Sequence, residues 1–207
     1  MTAENLYVSF PSRTMAANIR VYPLEPICEE EGPALAGVRG DMVIMSEEQD
    51  MTGGPLIRMH SACQYSEILG SSECDCDAQR LTAMARIAAE GSGIFFYLEQ
   101  EGRGAGLAAK ARGYAIAAQN GLDTVEAYRH LGLPFDTRQY GHCARFLLNN
   151  GFKKVRLMSN NPCKIDALAG YGLRVTPIPL VAGVTDGNVK YLRTKRDKAG
   201  HLLPPNL

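Results

Sequence analysis

A single compact domain of the α+β (mixed α/β) class, with a mixed sheet flanked by helices, is what this sequence predicts, on three observations. The chain has 207 residues, 45% of them hydrophobic and 21% charged, which suits one buried core and excludes a disordered or fibrous protein. Short apolar runs of strand length alternate with stretches whose apolar residues recur at helical spacing. Two strand-to-helix junctions, 100–106 and 159–164, carry Gly-rich or Asn-Pro punctuation of the kind that binds ligands.

In chain order, residues 1–40 hold Pro11, Pro23, Pro26, Pro33 and the acidic run Glu29, Glu30, Glu31. They show little periodicity and read as a divergent N-terminal segment before a domain spanning 41–207. Residues 42–45 and 55–60 read as strands around the Gly53-Gly54 turn, a pair expected to form a hairpin. Leu81, Met84, Ala85 and Ala88 recur at i, i+3, i+4 and i+7, giving a helix over 77–91 with Asp77 as N-cap and Gly91 as C-cap. Residues 93–98 (GIFFYL) form a buried strand, followed by a loop over 99–106 and a helix from Leu107 to about Gln119. Residues 124–131 and 138–149 read as helices, the second stopped by Asn150-Gly151. Residues 154–158 form a strand, 162–169 a helix with proline in its first turn, and 174–181 a strand.

Charge narrows the function classes. Twenty-two basic residues cancel twenty-two acidic ones, so no general positive field collects nucleic acid or anionic membrane, and any polyanion site must be local. No basic, apolar leader opens the chain and no eighteen apolar residues run together, so the expectation is a cytoplasmic protein with no membrane or nucleic-acid partner. In a reducing compartment the six cysteines are ligands or small buried hydrophobes rather than disulfides.

Cys63, Cys74 and Cys76 give C-x10-C-x-C, in which the last two thiolates reach one ion from the same side. Three soft ligands suit zinc, and an open fourth position suits catalysis, because a water bound there has a pKa of roughly 7. His60 closes the fourth position in a structural alternative, and three inert core thiols are the other reading. The polar residues around them, among them Glu67, Glu73, Asp75 and Asp77, favour ligands.

The sequence QEGRGAG at 100–106 lets backbone N–H groups approach an anion, with Arg103 adding charge; a solvated loop ion pair of Glu101 with Arg103 is the alternative. Gly104, Gly106 and Ala109 loosely fit a dinucleotide fingerprint, but no second strand with a ribose-binding acid follows. The junction Ser159-Asn160-Asn161-Pro162-Cys163-Lys164 serves equally as a phosphate site or a structural cap, and Arg58 as a cation near the metal or a surface arginine. The basic stretch from Arg193 to Lys198 reads as a solvated C-terminal helix face.

Taken together, Arg58-x-His60-Ser61-x-Cys63, Cys74-Asp75-Cys76, Gln79, Gln100-Glu101-Gly102-Arg103-Gly104-x-Gly106-Leu107 and Asn160-Asn161-Pro162-x-Lys164 resemble the GTP cyclohydrolase II family in order and spacing. The resemblance runs from about residue 40 to Gly200-His201-Leu202-Leu203. It implies a homodimeric hydrolase of that fold, which opens the imidazole ring of GTP and releases formate and pyrophosphate toward riboflavin. On this resemblance Cys63, Cys74 and Cys76 match the zinc ligands, and Gln79 and Glu101 match positions binding the guanine-bearing substrate. Arg58, His60, Ser61, Gly102, Arg103, Thr124, Ser159 and Lys164 match other nucleotide-contacting positions, and Tyr114 the active-site tyrosine. Asp136 and Arg138 match a proton acceptor and a nucleophile at the α-phosphate; from its chemistry alone, Arg138 reads as a stabiliser of transition-state charge. Pyrophosphate departure implies Mg2+ as a counter-ion.

Four features depart from the family pattern. Ala62 stands where glutamate is usual, Gln64-Tyr65-Ser66-Glu67 replaces Leu-Thr-Gly-Asp, Glu73 replaces arginine, and Asp77 replaces glycine. One residue is also inserted between Tyr114 and Gly121. A carboxylate at Glu73 beside the metal is expected to repel a triphosphate by about 1 kcal/mol or more. Two alternatives therefore stand beside GTP ring opening: a paralogue that opens another purine or a uracil nucleotide ring, and a zinc-stabilised nucleotide-binding module without catalysis.

Overall fold

The run Gly93–Leu98 is apolar on both faces, and a strand with that pattern needs a partner on each side and a layer above and below. The structure, a computed structural model describing residues 8–12, 17–23 and 41–206, puts it at the centre of the sheet. The acidic run Glu29 to Glu31 and Cys28 lie outside the described residues. Among those described, seven strands form one sheet: β1 Val8–Ser12, β2 Ala17–Pro23, β3 Met42–Ser46, β4 Leu56–Ser61, β5 Gly93–Leu98, β6 Lys154–Met158 and β7 Arg174–Ile178. Their order is β1-β2-β3-β5-β4-β6-β7, with β4 to β7 mutually parallel and β1, β2 and β3 joined to them by antiparallel pairing.

Seven α-helices accompany the sheet among the described residues: α1 Gln64–Glu67, α2 Cys76–Glu90, α3 Leu107–Asn120, α4 Thr124–His130, α5 Gly141–Asn149, α6 Pro162–Gly170 and α7 Val189–Ala199. Side chains alternate across the sheet. Ile57, Met59, Ile94, Phe96 and Leu98 face a core closed by Cys143, Ala144 and Leu147 of α5 and Leu168 of α6. Leu56 and Phe95 point the other way, onto Ala83, Met84 and Ile87 of α2. Each fully buried large side chain contributes about 1.5–3 kcal/mol. Gly93 lets α2 lie close, since a Cβ there would stand 2.6 Å from the Leu56 carbonyl and 2.9 Å from Ile87. This is an α+β fold, as the interleaved pattern predicts. No described helix is long and apolar enough to cross a membrane.

Three sequence expectations change. The hairpin does not form: β3 pairs with β2 and β5, whereas β4 pairs with β5 and β6. Gly54 is needed instead for contact with β6, where a Cβ would lie 2.7 Å from the Lys154 carbonyl. The helix expected from Asp77 begins at Cys76 with Asp75 as N-cap, because the Asp77 N–H donates to Ser66 Oγ at 3.1 Å and locks the preceding loop. The helix expected from Arg138 begins at Gly141, since the Gln139 N–H donates to Gln100 Oε1 (2.9 Å) and the Arg138 N–H to Asp136 Oδ1 (3.1 Å).

The parallel strands β4, β5 and β6 end at one edge of the sheet. The loops that follow them begin at Ala62, Glu99 and Ser159, so the cysteine loop, the Gly-rich loop and the Asn-Pro junction converge where open α/β sheets bind ligands.

Candidate active site

The site starts at β4. Arg58 and His60 share the parity of Leu56 and so point toward α2 rather than into the α5 core. Arg58 is buried, donates to the Met158 carbonyl at 2.8 Å and to Gln79 Oε1 at 2.5 Å, and burial pulls its pKa down to about 10, which leaves it cationic. Gln79 donates in turn to Asp75, which also accepts from Lys195 Nζ of α7 at 2.8 Å. His60 Nε2 lies 2.9 Å from Glu67 Oε1, and that carboxylate also accepts from the Cys63 N–H (2.8 Å) and the Tyr97 hydroxyl (3.0 Å). Burial takes His60 down to about 4 despite the Glu67 bond, so the ring is neutral near pH 7.

Just past β4, Cys63, Cys74 and Cys76 bring their sulfurs within 4.8 Å of one another, a cluster that could hold a metal ion. Cys63 Sγ and Cys74 Sγ are 3.7 Å apart. Two sulfurs bound tetrahedrally at about 2.3 Å from one ion stand about 3.8 Å apart, so the Cys63–Cys74 pair already has the spacing that a tetrahedral thiolate site needs. Hydrogen bonds from Cys74 and Cys76, and then from Lys110, draw the Cys63 thiol far below its usual range, whereas Cys74 and Cys76 are pushed up by Cys63. The three thiols thus oppose one another's ionisation, and a divalent cation would favour ionisation of all three sulfurs. Among the described residues no fourth side chain joins the cluster; His60 is engaged with Glu67.

Beside the sulfurs, a cavity of about 320 Å³ is lined by Cys76 and by six cationic side chains, Arg58, Arg103, Arg138, Lys164, Lys195 and Lys198, against a single carboxylate, Asp136. In a chain of zero net charge this is the local field a polyanion requires. Arg103 sits in a 3-10 turn, Gly102–Gly104, at φ 57, with Gly102 at φ 58 and Gly104 at φ 88. The Tyr128 hydroxyl donates to the Gly102 carbonyl (3.0 Å) and the Thr137 N–H to the Arg103 carbonyl (2.9 Å), which holds the guanidinium over Phe135. Arg138 clasps Asp136, with Nε to Oδ1 at 2.9 Å and Nη2 to Oδ2 at 2.5 Å, and approaches Ser61 Oγ at 3.5 Å. Burial pushes the Asp136 carboxyl up, but the Arg138 bonds outweigh it and keep it ionised below its ordinary range. Lys164 is buried, donates to the Met59 carbonyl at 2.7 Å, and is driven well below its ordinary pKa by burial and then by Arg58 and Arg138.

Of the residues singled out in the sequence, Arg58, His60, Ser61, Cys76, Gln79, Arg103, Asp136, Arg138, Ser159 and Lys164 line this cavity. Cys63 and Cys74 reach it through Cys76. Four other candidate site residues do not line it. Glu101 accepts from Lys110 Nζ (2.8 Å) and the Gln64 N–H (3.0 Å), and Gly102 supports the turn. Thr124 opens α4 behind the Asp123 capping box. Tyr114 packs edge-on against Tyr65 on the thiolate side, at 5.5 Å between centroids, and burial followed by the Cys74 charge raises its phenol pKa. Ala62 is buried and also outside the cavity lining, and Glu73 is exposed outside it, so the expected repulsion of a triphosphate by Glu73 loses its geometric basis.

Sequence reasoning missed Lys110, Lys195, Lys198 and His201. Lys110 was hidden in a helix of mixed periodicity. Lys195 and Lys198 belong to the stretch read as a solvated helix face, yet α7 lies over the cavity, with Lys195 on Asp75 and Lys198 on Asp123 and Glu126. His201 follows α7 and also lines the cavity; burial and then the Lys195 charge lower its pKa to about 4.

The family model described as GTP cyclohydrolase II matches residues 8–178, a match that takes in β1 and β2. The chain is 46% identical to GTP cyclohydrolase-2 of Streptomyces coelicolor over 169 residues, covering 80% of this chain and 76% of that protein. It is 45% identical over 171 residues to riboflavin biosynthesis protein RibBA of Bacillus mycoides, covering 82% of this chain but 41% of that longer protein. RibBA of Cytophaga hutchinsonii is 46% identical over 149 residues, 72% of this chain and 36% of its own length. With the family match spanning most of the chain and these identities behind it, the protein belongs to the GTP cyclohydrolase II family of hydrolases.

Proposed function

We propose that this protein opens the imidazole ring of GTP by hydrolysis at a zinc ion held by Cys63, Cys74 and Cys76, releasing formate and pyrophosphate and leaving a diaminopyrimidine ribonucleotide. The observation that carries the reading is the adjacency of a three-thiolate cluster to a cavity whose lining is cationic. Zinc in that set supplies Lewis acidity and an activated water at neutral pH.

The residues of the chain do the rest. Arg58 and Arg103 bring fixed positive charge to the phosphates, and approaching anionic oxygens favour the charged form of Lys164, whose pKa burial and then Arg58 and Arg138 lower in the free protein. Gln79, tied to Arg58 and Asp75, offers an oriented amide to the base. Arg138 sits in the fork of Asp136 and faces the cavity, placed to stabilise charge at the α-phosphate as pyrophosphate leaves. Among the described residues Asp136 is the one carboxylate of the lining and is already engaged, so those residues offer no cage for Mg2+; Mg2+ enters on the triphosphate as its counter-ion. The homodimer implied by the family resemblance is tested by mass in solution.

Zinc-loaded protein is incubated with GTP labelled at the ring carbon between the two imidazole nitrogens, and products are read by mass spectrometry. Labelled formate with pyrophosphate is expected. A formyl-retaining product would limit the reaction to ring opening, and turnover of a different nucleotide in place of GTP would overturn the substrate assignment.

A further inference from the structure

Lys110 has no part in the ring chemistry above, yet it is a buried lysine aimed at a sulfur. Its Nζ lies 3.1 Å from Cys63 Sγ and 2.8 Å from Glu101 Oε1, and 4.4 Å from the centre of the Tyr65 ring. The side chain is 10% exposed and belongs to the first turn of α3, on its buried face, beside Gly102 of the Gly-rich turn. Glu101 in turn fixes the start of α1 by accepting from the Gln64 N–H, the residue after Cys63. One ammonium therefore ties a thiolate, a carboxylate and the loop that carries the first cysteine into one unit.

We propose that Lys110 is a positioning residue of the metal centre: its ammonium, held by Glu101, donates to the Cys63 thiolate and fixes the sulfur and the loop that carries it. The inference rests on the reading of the cluster as a metal site. A +2 ion with three thiolates bears a net charge of about −1, and a buried anion of that kind is costly unless a cation stands beside it. The ammonium stands beside the sulfur, shared with Glu101, and its N–H bond draws electron density from the sulfur, so a metal ion bound there would be a stronger Lewis acid. Glu101 keeps the ammonium aimed and, with one oxygen still unpartnered, connects the metal loop to the turn bearing Arg103.

The test reads the metal and needs no turnover. Wild type, Lys110→Met, Lys110→Arg and the double variant Lys110→Met/Glu101→Gln are each titrated with Zn2+ against a competing chelator at one pH, and with Co2+ while the thiolate-to-metal absorption is recorded. The double variant removes the carboxylate that Lys110→Met strands, so a folding defect from an unpaired Glu101 does not obscure the result. Both methionine variants are expected to bind metal about 10- to 100-fold more weakly, the loss typical of outer partners of metal ligands, with the cobalt band moved to longer wavelength. Lys110→Arg is expected to retain most of the affinity. Wild-type affinity and an unmoved band in the double variant would overturn the role of Lys110 while leaving the metal site standing. Absence of any thiolate band in the wild type would overturn the metal reading and this inference with it.

Discussion

Replacing Arg138 by methionine keeps the length of the side chain and removes its charge and its fork. In the structure that fork makes Nε and Nη2 bonds to Asp136 at 2.9 and 2.5 Å, while the Arg138 N–H bond to Asp136 is retained in the variant. Arg138 is 15% and Asp136 28% exposed, so the pair is partly screened, and its loss is expected to cost about 1–3 kcal/mol of stability rather than the larger penalty of a fully buried pair. The catalytic loss is larger. A preorganised charge that acts as negative charge develops is worth about a hundredfold to a thousandfold in kcat, roughly 3–4 kcal/mol. Lysine cannot reproduce the bidentate grip, so Arg138→Lys is expected to recover little of it. Steady-state formate and pyrophosphate release from GTP, measured at matched zinc content and below the unfolding range, is the assay. A kcat for Arg138→Met within tenfold of wild type would refute the assignment of Arg138 to the transition state.

Other outcomes follow from single residues. Cys74→Ser is expected to lose bound zinc by metal analysis and to lose formate release with it, since it removes one of three ligands. Gly104→Ala is expected to lower GTP turnover at least tenfold and stability by about 1–3 kcal/mol, because Gly104 sits at φ +88 and a Cβ would meet Thr137 Oγ1 at 2.4 Å, displacing the Arg103 turn; unfolding and steady-state kinetics check it. Glu73→Arg is expected to change the KM for GTP by less than about threefold, since Glu73 is exposed outside the cavity lining, and a tenfold fall would restore Glu73 to the substrate's neighbourhood. His60 titrates at about 4 when folded against an ordinary 6.5, so the unfolded chain binds the extra proton; its contribution to stability is full above about pH 6.5 and is lost as pH falls toward 4. A denaturation series from pH 7 to 4 is expected to steepen by about 1.4 kcal/mol per pH unit in that window, and His60→Gln to flatten it.

How much of this was legible beforehand depends on whether the cause was local. The Gly91 C-cap, the Asn161 cap with Pro162 behind it, and the apolar run of β5 are local rules obeyed locally. The cysteine cluster was legible because Cys74 and Cys76 are separated by one residue and Cys63 comes just past a strand. The hairpin expectation failed because strand order is decided by which strand is buried on both faces, and β5 takes the place beside β3, pairing Ile94 with Met45 and Tyr97 with Met42. β1 and β2 escaped notice because Pro11 and Pro23 interrupt their patterns, and β1 pairs with β2 alone while β2 lies beside the outermost strand. The chemistry of α7 was unreadable for another reason: in sequence, Arg193 to Lys198 is one charged stretch, and only its packing over the cavity singles out Lys195, held on Asp75, and Lys198, held on Asp123 and Glu126. Glu101 shows the converse, a residue identified by motif whose partner Lys110 is visible only in three dimensions.

The most direct test of a cysteine-held metal that opens the GTP ring is a zinc titration of turnover. Metal-free protein is loaded with zinc in steps, mixed with saturating GTP, and the initial rate of formate release is read against bound zinc. Formate-releasing activity is expected to rise in proportion to zinc until one ion per chain is bound and then to level off, and to be absent at every step in Cys74→Ser. Formate release that is complete without zinc, or undiminished in Cys74→Ser, would contradict the account at its centre.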